Sequence, residues 1–483
     1  MEIADALQQR RQILAVNELH REEVPAVEFA DVVHAADVRM RDLPGDAHLG
    51  METLAAHRIV GQGFGQELQG DGLAELQVIG AVDIAHAAER LFLPVRYRYD
   101  AGMSGILILG TGLAGYTLAR EFRKLDTATP LHLLTADDGS FYSKPAISNA
   151  LAQKKTAAQL ALNTAEQMAT QLKAVITTQS QAISIDPAAH TVVTATGAHG
   201  YDQLVLALGA EPIRLDIAGD GAGDVLSINN LTDYAHFRER LAGRQRVAIL
   251  GAGLIGCEFA NDLRSAGIEV DVVDPGTTLL IRFLPALSGR FLQNELERSG
   301  VRFHLGTTAR SITRQRQGLL LTLANGASIE TDLVLSAVGL RPNTRLAAAA
   351  GIKITRGIVT DRTLATNIPA IHALGDCAEV EGLNLPFVMP IMQAARALAR
   401  TLSGARTVVQ YPAMPVVVKT PACPTVLCPP PAGVEGTWDE TDTGDGIRAL
   451  FHDRTGALRG FALTGNATQA KQALLKDLPA LLG

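Results

Sequence analysis

ILILGTGLAG, residues Ile106–Gly115, decides how the chain is read. Four apolar residues run straight into Gly110, Gly112 and Gly115, and helical periodicity takes over from Tyr116 to Leu125. That is a strand, a tight turn and a helix. The first glycine permits the turn, the second lets the backbone approach a pyrophosphate, and the third lets helix pack on strand, with the helix N-terminus facing the anion. A single copy of this spacing is weak evidence. Gly-rich chains produce it by chance.

A second copy lies downstream. Arg246–Leu250 forms a strand, and Gly251, Gly253 and Gly256 repeat the spacing in GAGLIG. Each copy is followed by a further apolar strand with an acidic residue at its end, where a dinucleotide fold places the acceptor for the ribose hydroxyls. In the first unit this is Asp137, after Leu131–Thr135 and slightly late. In the second it is Asp274, after Glu269–Val273 and 23 residues beyond Gly251. Asp274 also repels a 2'-phosphate, which favours NAD(H) over NADP(H). Each unit then closes on a similar strand, LVLALG at 204–209 and LVLSAVG at 333–339. Two full fingerprints are far more specific than one, and predict two nucleotide-binding domains.

Composition sets the outer limits. The chain's 483 residues exceed one ordinary core, so two to four domains are expected. The net charge of −7 is carried by residues 1–102, with 9 Arg, no Lys and 17 acidic residues, while the remainder stands at +1. Neither nucleic acid nor insertion into a membrane is suggested, and the expected location is the cytoplasm. Residues 1–102 carry no readable site. We expect them to be a dispensable extension, upstream sequence read through ahead of Met103. Four scattered cysteines exclude a disulfide scaffold and no metal site is expected; Cys423 and Cys428 read as small buried residues. In FYSKPAIS, residues 141–148, Pro145 disfavours helix and leaves Lys144 in a loop. His372 reads as a half-buried strand residue. Residues 386–403 read as a helix opened by proline, its N-terminus offering free N–H groups to an electron-rich ring.

With GTGLAG, LVLALGAEP, GAGLIGCE and ALGDCAEV in this order, residues 103–483 resemble the FAD-dependent pyridine nucleotide-disulfide oxidoreductase superfamily. The resemblance implies an α/β fold of two Rossmann-like domains of the glutathione-reductase type plus a small α+β C-terminal domain. Its implied boundaries are 103–211 and 341–406 for the two parts of the FAD domain, 212–340 for the NAD(H) domain and 407–483 for the last domain. Gly110, Thr111, Gly112, Leu113, Ala114 and Gly115 would line the FAD pyrophosphate, with Ala136 and Asp137 at the adenosine ribose and Ala182 at the adenine. Asp376 would hold the ribitol chain, the N–H of Val388 the flavin pyrimidine edge, and Lys419 would lie near the isoalloxazine. Gly251, Gly253, Gly256 and Asp274 would take NADH. Lys144 matches the family lysine near flavin N5, and Glu258, in the turn after Gly256, matches its partner beside the nicotinamide.

One departure points to the reaction. The superfamily's disulfide reductases carry a Cys-x4-Cys pair in the segment that here runs from Phe141 to Ser148 without a cysteine. The resemblance then implies electrons passed directly to an outside acceptor, a small protein with an iron centre feeding hydrocarbon hydroxylation. A ferredoxin or a flavo-diiron system is the alternative acceptor within the group, and a signalling flavoprotein the alternative outside it.

Overall fold

The computed structural model describes residues 105–483. The expectation for residues 1–102 lies outside the described residues. Two parallel sheets form the body, and each is wound around one glycine fingerprint. The first has the order Ile371–Ala373, Gln203–Leu206, Ile106–Leu109, Leu131–Leu134, Val175–Thr177, every pair parallel. The second has the order Leu333–Ser336, Arg246–Leu250, Glu269–Asp274, Val301–Leu305, again all parallel. In both, the glycine strand is an interior strand whose apolar run, Ile106–Leu109 or Val247–Leu250, is buried, as cover on two faces requires. Each unit then carries a three-stranded antiparallel meander, Ala182–Gly200 in one and Ala309–Thr331 in the other, before its return strand.

The chain crosses between these units twice, and the crossings pair. Ala210–Pro212 runs antiparallel to Leu340–Pro342 in a two-stranded ribbon, with Ala210 opposite Pro342. The remaining chain builds a five-stranded antiparallel sheet, from Val416–Val418 to Leu458–Thr464, and ends on the short helix Lys471–Asp477. The observed class is thus α/β with an α+β C-terminal module.

Three helices matter to the site. The first, α1 (Leu113–Arg123), and the second, α2 (Leu254–Ser265), each follow a fingerprint; the third, α3 (Val388–Leu402), follows Pro386. Helices α1 and α3 share one apolar core through Leu118, Phe122, Ala395 and Leu398. A second core joins α2 to the segment around Ile147 and Ala150 and to Cys423 and Leu427 of the C-terminal sheet. Pro145 does not prevent helix as expected. Lys144–Asn149 is a 3-10 helix with Pro145 in its first turn, where the missing N–H has no partner to lose.

Candidate functional site

The two glycine turns share one geometry. Gly110 and Gly251 lie at φ +113° and +105°, where an L side chain is strained. A Cβ on either would meet the return strand, 2.3 Å from the Ala207 carbonyl oxygen and 2.7 Å from that of Ala337. A Cβ on Gly115 or Gly256 would lie 2.0 or 1.9 Å from the oxygen of Gly110 or Gly251, so these glycines seat helix on strand. Gly112 and Gly253 meet nothing within 4 Å. Packing does not require them to be glycine; the open space beside each helix N-terminus is room for a ligand.

The acidic residues close back on these turns. Asp137 Oδ1 accepts from Thr111 Oγ1 at 3.3 Å, Thr135 Oγ1 at 2.6 Å and the Gly139 N–H at 3.0 Å. Asp274 accepts from the N–H of Ala252 at 2.7 Å and of Gly276 at 2.6 Å. Each carboxylate is therefore held beside its own pyrophosphate turn.

Both turns open into one cleft of about 2620 Å³. That is room for more than one small-molecule ligand. Every candidate named from the sequence lines it, Ala136, Ala182, Val388 and Lys419 included, apart from Gly115 and Gly256, which face the strands. Lys144, Glu258 and Asp376 line the same cleft.

The lysine–glutamate pairing expected from the resemblance is not formed. Lys144 Nζ donates instead to Asn229 Oδ1 at 2.7 Å, and Asn229 Nδ2 donates to the Ala210 carbonyl of the ribbon at 2.9 Å. Glu258 sits inside α2 rather than in a turn, and its cation is Lys419. One oxygen of Glu258 takes Lys419 Nζ and Ser148 Oγ, the latter at 2.6 Å; the other accepts the Lys419 N–H at 3.0 Å. Packing decides this: Lys144 opens a 3-10 helix whose far end, not its start, rests on α2. Ser148 and Asn229 escape sequence reasoning, because their partners are 110 and 85 residues away.

Burial pushes the Lys144 ammonium below its ordinary value, while Asp376 and Asp233 pull it back. Burial raises the Asp376 carboxyl, and Lys144 opposes the rise. The Asp376 carboxylate accepts no hydrogen bond from any described residue, although it faces the cleft. It is placed there by Gly375, whose Cβ would lie 2.7 Å from that of Ala114 in α1. At the start of α3 no side chain caps the first N–H groups, and Val388 and Met389 stand 42 and 39% exposed. An acceptor in need of hydroxyls, free N–H groups and bare apolar surface beside the first turn fit a dinucleotide bearing a polyol chain and a flat, polar-edged ring.

All four cysteines are free and buried, and residues 141–148 hold none. His372 Nε2 donates to Gln203 Oε1, 3.0 Å away, and lies outside the cleft. Among the described residues no cluster of His, Cys, Asp or Glu could hold a metal ion.

Two phosphate-binding turns that open on one cleft, with a lysine ammonium lining it, define an oxidoreductase that handles two dinucleotides. The chain belongs to the pyridine nucleotide-disulphide oxidoreductase family, whose model matches residues 104–401, and residues 408–478 match a rubredoxin binding C-terminal domain. Among its relatives are rubredoxin-NAD(+) reductases of Acinetobacter baylyi and Alcanivorax borkumensis. The first is 50% identical over 390 residues, 79% of this chain and 99% of the relative. The second is 46% identical over 381 residues, 79% of this chain and 100% of the relative. The crystal structure of a ferredoxin reductase from Rhodopseudomonas palustris superposes with a TM-score of 0.70 at 27% identity, covering 77% of this chain and 95% of that one.

Proposed function

We propose that this chain is an FAD-dependent NADH:rubredoxin oxidoreductase, taking hydride from NADH and passing electrons singly to the iron centre of rubredoxin. The observation that carries the reading is the cleft itself, lined by two equivalent phosphate turns and by residues of a C-terminal module that matches a rubredoxin-binding domain. FAD, when bound, supplies the change from two-electron to one-electron chemistry.

This chain's residues do the rest. The first turn and α1 hold the FAD pyrophosphate, Asp137 the adenosine ribose, Ala182 the adenine edge, and Asp376 the ribitol hydroxyls. The N–H of Val388 meets the pyrimidine edge of the ring. Gly251, Gly253 and the N-terminus of α2 hold the NADH pyrophosphate, and Asp274 selects a ribose diol over a 2'-phosphate. Lys144, fixed by a neutral amide rather than a carboxylate, keeps its positive charge available to a ring that gains electrons. Lys419 lies at the same ring with its charge balanced by Glu258. With no dithiol in 141–148, electrons leave through an outside acceptor rather than a protein disulfide.

The FAD domain accordingly comprises 103–211 and 341–406, and the NAD(H) domain 212–340, hinged at the paired ribbon. We place the enzyme in the cytoplasm, where NADH is supplied; among the described residues no helix is long and apolar enough to cross a membrane. Service to hydrocarbon hydroxylation rests on the resemblance alone.

Anaerobic mixing tests the proposal. The purified protein should carry FAD whose visible absorbance bleaches with NADH and not with NADPH, and the bleached enzyme should reduce rubredoxin faster than ferredoxin. Protein without flavin, or bleached enzyme inert toward rubredoxin, defeats it.

A further inference from the structure

One face of α2 carries three buried polar side chains at helical spacing, Glu258, Asn261 and Asp262, which are 4, 5 and 3% exposed. Glu258 faces the cleft and belongs to the site already described. Asp262 does not line the cleft. A carboxylate so deeply buried is costly unless its oxygens are satisfied. Both are, by backbone: Oδ2 accepts the Leu151 N–H and Oδ1 the Ala152 N–H, each at 3.0 Å. These amides lie just past Ala150, the residue that ends the 3-10 helix Lys144–Asn149.

Asp262 thus ties together two elements 110 residues apart in the chain, which also meet at the Ser148–Glu258 bond. Its own helix starts at Gly253, the open glycine of the second turn. The segment it grips carries Lys144 and Ser148 into the cleft. Apolar contact between Ile147, Ala150, Phe259 and Leu263 keeps the two elements together but does not fix how one slides on the other. The single Ser148–Glu258 bond anchors one point, and the two directional Asp262 bonds to adjacent amides fix rotation as well as distance.

We infer that Asp262 is a positioning residue for the hydride step, setting the separation between the NADH cradle and the Lys144 face of the flavin site. The inference rests on the proposed function. Hydride transfer depends steeply on alignment, and a misplacement of about 1 Å costs roughly 100-fold. Electron delivery to an outside acceptor does not use the second cradle and is insensitive to the same slip.

The test uses the full chain loaded with FAD, as wild type and as Asp262→Ala and Asp262→Asn. The asparagine variant keeps the side-chain volume and one acceptor, and guards against a failure to fold. In Asp262→Ala the first-order rate of bleaching by NADH should fall roughly 10- to 100-fold, with a smaller loss in Asp262→Asn and a larger isotope effect with C4-deuterated NADH. Amide exchange in the peptide spanning residues 148–153 should accelerate. FAD content, affinity for NAD+ and the rate at which light-reduced enzyme reduces rubredoxin should stay as in the wild type. Accelerated exchange with unchanged hydride transfer overturns the inference, as does a parallel fall in FAD content and in both half-reactions. A wild-type enzyme that NADH does not bleach instead sinks the proposed function.

Discussion

Alanine at each fingerprint glycine separates what the fold needs from what the ligand needs. At Gly115 a Cβ stands 2.0 Å from the Gly110 carbonyl oxygen and 3.5 Å from Ile108. Relief demands that α1 lift from its strand by about 1 Å, an overpacking of the kind that costs about 3 kcal/mol. In a domain of this size that is roughly 6–12 °C of melting temperature. At Gly112 the backbone lies at φ −67°, ψ −172°, open to any residue, and a Cβ meets nothing within 4 Å. Alanine there gains about 0.4–1 kcal/mol from the unfolded chain and loses a similar amount at the helix N-cap, so the net is near zero. Yet its methyl group enters the space beside the helix N-terminus. Gly112→Ala should therefore melt like wild type as flavin-free protein but purify without FAD, whereas Gly115→Ala should melt early. Gly253→Ala, at φ −78° and equally open, should keep FAD and lose bleaching by NADH. Thermal denaturation of the flavin-free proteins, flavin content and rapid mixing with NADH read these outcomes. A Gly112→Ala protein as unstable as Gly115→Ala, or one that binds FAD like wild type, refutes the assignment.

Other perturbations probe the carboxylates and thiols. Asp274→Ala should lower kcat/KM for NADH roughly 10-fold or more without a matching gain for NADPH, because the N–H groups of Ala252 and Gly276 lose their acceptor along with the ribose; a clean switch to NADPH contradicts this. Glu258→Gln leaves the Lys419 ammonium without its counter-charge and should cost about 2 kcal/mol in chemical denaturation, below the range for a fully buried pair because Lys419 is 27% exposed. An unchanged denaturation midpoint would show the pair to be of no structural consequence. Burial pushes the Cys377 thiol up to about 12 and Cys428 up to about 11, so at about pH 8 neither forms appreciable thiolate. Iodoacetamide should leave all four cysteines unlabelled until guanidinium unfolds the chain, and rapid labelling of native Cys428 would count against that burial.

What was legible in the sequence is what local stereochemistry dictates. A strand–turn–helix with three glycines is written within ten residues, so both cradles could be numbered and each acidic partner found at the end of the next strand. Two nucleotide-binding domains follow, since the same short pattern occurs twice. Side-chain pairing across segments is another matter. The expectation that Lys144 pairs with Glu258 came from a resemblance, and nothing near either residue in the chain could have corrected it. Lys419, 161 residues beyond Glu258, reaches it only because the C-terminal sheet and α2 share an apolar core.

That rearrangement changes the electrostatics of the cleft rather than merely relabelling it. A lysine paired with glutamate contributes a near-neutral ion pair; a lysine held by an amide contributes a charge. Here Glu258 is consumed by Lys419 and Ser148, and Lys144 is left with Asn229, with Asp376 and Asp233 acting on it only through space. Burial disfavours that ammonium, which means that whatever negative charge arrives beside it is met by a group with little water to screen it. The chain thus sets one balanced and one unbalanced lysine on the same cleft. On the proposed function, the unbalanced one, Lys144, is the residue whose replacement by a neutral side chain should bear most directly on hydride acceptance.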